Sequence, residues 1–169
     1  MSRKLYQNHF LSICLDIRVL AFWQNTLFHF GSGTSGEAYA QDSSTSTFNA
    51  SWSSETSASF NFPGATPSVS SNGSSNGIVW VIDSSDYGTR DHKRLVAGPA
   101  VLYGFAANNL GTELWKSGTV AGDAAGNAVK FTVPTVGNGK VYIGTRGNDD
   151  TVRGGTDLAS IDVNGLKSN

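Results

Sequence analysis

The sequence predicts an all-β protein assembled from a repeated hairpin, and three observations carry that expectation. First, one phrase occurs twice. Pro67-Ser68-Val69-Ser70-Ser71-Asn72-Gly73 leads into Ile78-Val79-Trp80-Val81-Ile82-Asp83, and Pro134-Thr135-Val136-Gly137-Asn138-Gly139 leads into Lys140-Val141-Tyr142-Ile143-Gly144. Each copy is a short strand, an Asn-Gly pair and a second strand of β-branched and aromatic residues. Asn-Gly supplies the positive φ angles of a tight hairpin turn. Second, the 169 residues include 20 glycines, are only 15% charged and are dense in Ser, Thr and Asn, which suits short strands joined by many turns and not a helical bundle. Third, two such hairpin units far apart in the chain mark a repeat architecture.

Bulk properties narrow the function classes. The length allows one domain with a sizeable core. A net charge of −1 with no persistent basic cluster gives no electrostatic case for nucleic acid or an anionic membrane. Cys14 is the single cysteine, which excludes an intrachain disulfide and any multi-cysteine zinc site.

Residues 1–24 are expected to be a leader distinct from the body at 25–169. Arg3 and Lys4 precede an apolar stretch from Phe10 to Phe30, and Ala38-Tyr39-Ala40 before Gln41 has the small-x-small form of a cleavage site. Asp16 and Arg18 interrupt the stretch, however, and Gly31 to Glu37 separates it from that site, so the layout of a signal peptide is not met. Nor does any stretch reach the roughly 20 apolar residues that span a bilayer. Thr26 to Gly31 instead reads as a strand with a glycine stop, and Gly36 to Asp42 as its returning partner. His29 alternates with Leu27 in that strand and is given no catalytic role. Residues 43–65 read as a Ser/Thr-rich surface connection whose aromatics, Phe48, Trp52, Phe60 and Phe62, dock on the body. The glycosylation-type triplets at Asn49 and Asn72 are of the kind that arises by chance in so Ser- and Asn-rich a chain.

After Asp83 come a charged excursion, Arg90-Asp91-His92-Lys93-Arg94, and a strand from Ala100 to Phe105. Then follows Ala106-Ala107-Asn108-Asn109-Leu110-Gly111-Thr112-Glu113-Leu114-Trp115. In this motif the Asn pair and Gly111 turn the chain between strands, and Trp115 is expected to pack its ring between neighbouring layers.

Ala107 to Trp115 resembles the alanine–aspartate–glycine–tryptophan repeat of pyrroloquinoline quinone-type β-propellers, with Asn108 where those repeats usually carry Asp. The segments Phe62 to Val69, Gly77 to Trp80, Gly98 to Tyr103, Glu113 to Trp115 and Phe131 to Thr145 resemble the last blades of bacterial quinoprotein-like propellers. Leu158 to Leu166 resembles their final strand. The resemblance implies a partial β-propeller of about two to three four-stranded blades, truncated relative to the 4–8 blades of a full ring. It also implies a secreted, periplasmic or cell-surface bacterial protein.

Three candidate chemistries follow. A quinone-dependent dehydrogenase of this family is expected to hold the quinone and a calcium ion on the propeller axis, with a stacking Trp and often an adjacent cysteine pair. Here Trp80 and Trp115 are present but Cys14 is alone. A remnant of such an enzyme is therefore the alternative reading, and quinone or calcium is expected only in a complete propeller. For calcium, Asn148, Asp149, Asp150 and Asp157 supply hard oxygens in a Gly- and Asp-rich run, but the run occurs once where a calcium-binding β-roll needs tandem copies. For acid–base chemistry, His92 sits in a charged loop with no Gly-x-Ser-x-Gly elbow, and a solvated charge run is the expectation. The sequence thus points to a non-catalytic scaffold or binding module for a protein or carbohydrate ligand. An unfinished ring is expected to leave two apolar faces bare and so to self-associate or recruit its missing blades.

Overall fold

A computed structural model describes residues 20–91, 94–146 and 159–165. Among these residues there is no helix, so none is long and apolar enough to cross a membrane. The strands form three successive antiparallel sheets and one small hairpin, all open.

The first sheet contains β1 (Ala21–Trp23), β2 (Thr26–Phe30), β3 (Thr34–Asp42), β4 (Thr47–Phe48) and β5 (Ser54–Phe60). β1, β2 and β3 make a meander, beyond which β4 pairs with the C-terminal end of β3 and β5 with its N-terminal part. Two expectations change here. The sheet begins at Ala21, inside the segment read as a leader (1–24). Its first turn is Gln24-Asn25, with φ of 48° and 57°, and these left-handed residues close a two-residue hairpin turn without glycine. The segment 43–65, read as a connection, holds β4 and β5. Its signal is a period of two in short side chains: Thr56 and Phe60 are buried, whereas Glu55, Ser57 and Ser59 are exposed. Of its aromatics, Phe60 is a core residue, while Trp52 and Phe62 stay exposed.

β6 (Ser68–Asn72) and β7 (Ser75–Asp83) form the first expected hairpin. A side hairpin follows, β8 (Thr89–Asp91) with β9 (Arg94–Val96), and it takes up the charged excursion. β10 (Val101–Ala106) and β11 (Glu113–Lys116) then complete a four-stranded sheet in the order β6-β7-β10-β11. The third sheet is β12 (Thr135–Gly137), β13 (Lys140–Arg146) and β14 (Ala159–Gly165). Asn138 and Gly139 join β12 to β13 with φ of 50° and 68°, the two-residue turn expected from Asn-Gly.

The sheets stack face to face because the middle one is apolar on both sides. Val79 and Val81 of β7, with Phe105 of β10, pack with Phe28, Phe30, Ala38 and Phe60 of the first sheet. Trp80 and Ile82 of β7, with Leu102 of β10, pack with Val141 and Ile143 of the third. Alternate residues of one strand thus enter two cores, which is why its apolar run is unbroken. The leading strands are neighbours as well, β1 touching β6 and β6 touching β12, and the Ser68 hydroxyl donates to the Pro134 carbonyl.

The Ala107–Trp115 motif serves both cores. Ala107 and Leu110 are buried between the first two sheets, and the Leu110 amide donates to Ser54 Oγ at 3.1 Å. Asn109 closes the turn by accepting from the Gly111 amide at 3.0 Å. Trp115 lies on the opposite side, edge-on to Trp80 with ring centroids 6.4 Å apart. Trp80 is 6% exposed, and its indole N–H donates to Ser70 Oγ at 2.8 Å. Gly104 makes room for that indole, since a Cβ there would lie 2.9 Å from the ring.

Emptying these two sites should cost different amounts. Trp80→Ala is expected to destabilise by about 3–5 kcal/mol, the range for removing a buried aromatic. Half-buried Trp115 should cost less on substitution by Ala. Chemical denaturation of both variants checks the order, and equal losses would contradict this packing.

Candidate binding groove

Where β1 meets the tip of the β6–β7 hairpin, the surface forms a groove of about 400 Å³. Trp23 makes one wall. Its position follows from the Gln24-Asn25 turn, which ends β1 beside β6, and its indole N–H is held by Ser71 Oγ at 3.1 Å and the Gly73 carbonyl at 3.3 Å. Close approach of the ring needs Gly77, because a Cβ there would lie 2.7 Å from it. The Ala107 amide donates to the Gly77 carbonyl at 2.9 Å and so carries the β10–β11 turn to the same place. That turn brings Asn108, and beyond it Leu114, which is 51% exposed. Ser74, Ser75, Asn76, Ile78 and Ala106 complete the lining. No Asp, Glu, Lys, Arg or His of the described residues lines the groove. Its chemistry is an indole, three aliphatic side chains and neutral amides and hydroxyls that both donate and accept.

One group of titratable residues lies away from the groove, on the outer face of the first sheet. His29, Glu37 and Glu55 lie side by side across β2, β3 and β5. Tyr39 Oη donates to Glu37 Oε2 at 2.5 Å, His29 Nδ1 lies 3.8 Å from the same oxygen, and Ser35 Oγ donates to Glu55 Oε2 at 2.8 Å. Burial pushes the Tyr39 phenol well above its ordinary range, and the hydrogen bond to Glu37 and that residue's negative charge push it further. The arrangement works as a polar clamp across three strands.

Several candidates from the sequence fall outside the described residues: Cys14, His92, Lys93 and the calcium candidates Asn148, Asp149, Asp150 and Asp157. Asp91 and Arg94 are register partners at the head of the β8–β9 hairpin. Among the described residues no three His, Cys, Asp or Glu side chains converge as a metal-ligand set. Trp80 and Trp115 meet edge-on at the core between the second and third sheets. Trp23 was not marked by the sequence because it lay in the segment read as a leader. The signal that finds it is Asn25, a residue that tolerates positive φ, directly after a short apolar strand. No family model, no curated protein and no solved structure matches the chain.

The clamp has a pH signature. Unfolded tyrosine titrates near pH ~10, and the folded chain holds the Tyr39 proton more tightly. This stabilisation is fully present below pH ~10 and is lost as the pH rises from there through the folded-state value. Stability should therefore fall above pH ~10, and Tyr39→Phe should flatten that fall without abolishing it, because burial raises Tyr103 as well. Urea unfolding on both sides of that pH measures the slope. A slope unchanged by Tyr39→Phe would contradict the clamp.

Proposed function

We propose that the chain is a non-catalytic binding module built from propeller-type blades, belonging to a larger secreted or cell-surface scaffold. The observation that carries this reading is the stacking of three sheets in chain order with their leading strands side by side. Blades of a propeller are related in that way around a central axis, with β1, β6 and β12 taking the inner positions. The second sheet has the four strands of a blade, the first has five, and the third supplies three described strands. The cellular location rests on the family resemblance alone. A binding role is favoured over catalysis because the groove is lined by neutral groups, whereas one group of titratable residues clamps strands together on another face.

The partners of such a piece are the missing blades or further copies of itself. The described surface changes the physical basis for that association. The outer face of the first sheet carries His29, Glu37 and Glu55 beside Leu27 and Tyr39, and so is mixed in character. Sheet edges offer the alternative. β14 pairs only with β13 among the described residues, leaving a row of backbone donors and acceptors that can template another strand.

Light scattering on freshly purified chain tests the scaffold reading. Self-association, or conversion to a defined complex when the missing blades are supplied, is the expected result. A well-dispersed monomer with a single cooperative melt would contradict it.

A further inference from the structure

We infer that the groove beside Trp23 is a subsite for a neutral saccharide. The inference rests on the binding-module reading and adds the class of ligand. A pyranose ring has a face of C–H bonds and a rim of uncharged hydroxyls that both donate and accept. It is bound by an aromatic surface flanked by amides and hydroxyls, with no charge to desolvate.

The groove supplies those parts. The Trp23 indole is an apolar wall, and it is fixed before any ligand arrives because Ser71 Oγ and the Gly73 carbonyl already take its N–H. The ring therefore offers a ligand its apolar surface, and it loses little freedom on binding. Leu114, half exposed, extends the apolar surface. Asn76, at the start of β7, and Asn108, in the β10–β11 turn, both line the groove, each with a carboxamide of two donors and an acceptor to meet adjacent hydroxyls. With no charged residue in the lining, a phosphate, a nucleotide or a charged peptide terminus finds no counter-charge there. A volume of about 400 Å³ lies in the range of ligand pockets, and the open form suits a sugar within a longer chain.

The test uses the full chain with maltotriose, cellotriose and N,N′-diacetylchitobiose as probes, beside a pool of neutral blocked tetrapeptides. Binding is read by tryptophan fluorescence and by saturation-transfer NMR. The expected result is saturable binding of at least one saccharide, with the largest transfer to its ring C–H protons and little change between low salt and about 1 M salt. Trp23→Ala should weaken it about tenfold. Because Trp23 also packs against Gly77, the exposed turn variant Asn108→Ala provides a second measurement, expected to weaken binding while the melting temperature stays unchanged. Saccharide binding that is unaltered in Asn108→Ala and in folded Trp23→Ala would overturn the assignment to this groove. Peptide binding without saccharide binding would overturn the ligand class and leave the binding module standing. If neither class binds, both the subsite and the binding role fail, while light scattering still judges the scaffold on its own.

Discussion

The middle sheet has no solvent face, and the rest of the structure depends on that. β7 sends Val79 and Val81 to one side and Trp80 and Ile82 to the other, so a single strand nucleates two cores. Each core closes only if another sheet is laid over it. The first sheet, of five strands, and the third, of three described strands, lay their apolar side chains against β7 and β10. The layers are therefore coupled through the strand they share.

That coupling explains why small and large residues alternate as they do. Trp80 fills the gap between the second and third sheets only because Gly104 lies beneath it, and Trp23 reaches the β6–β7 hairpin only because Gly77 has no side chain. In both cases an indole occupies space that a Cβ would take. The Ala107–Trp115 turn applies the same logic along the chain, placing Leu110 in one core and Trp115 against the other within a few residues. The groove is a by-product of this packing. It forms where the leading strand of the first sheet meets the hairpin and turn of the second, and its polar lining comes from the hairpin tip and the β10–β11 turn, outside either core.

Much of this was legible in the sequence. The unbroken apolar run at Ile78–Ile82, the Asn138-Gly139 turn and the apolar stretch Ala100–Phe105 all pointed to strands where strands are found. Two elements were not legible, for physical reasons. β5 turns Thr56 and the partly buried Ala58 inward where most strands bury larger side chains, so its alternation is weak in hydrophobicity. Its hydroxyl is accommodated because Thr56 Oγ1 accepts from the Gly36 amide at 2.8 Å and donates to the Ala58 carbonyl at 2.7 Å. β1 ends in a Gln-Asn turn that carries none of the glycine punctuation on which hairpin recognition relies. Missing β1 hid Trp23, and with it the groove. The clamp was hidden for a different reason, since His29, Glu37 and Glu55 are far apart in the chain and only the β2-β3-β5 register aligns them.

The central claim is that three layers stand or fall on one shared strand. Native-state hydrogen exchange measures this most directly, because it resolves the opening free energy of each strand. The amides of Val79 to Ile82 and Leu102 to Phe105 should exchange slowest, through global unfolding. Protection in β2, β3 and β13 should collapse together with theirs when Val81 is replaced by Ala. If the first and third sheets instead keep their protection while β7 opens, each layer is stable by itself and the account is wrong.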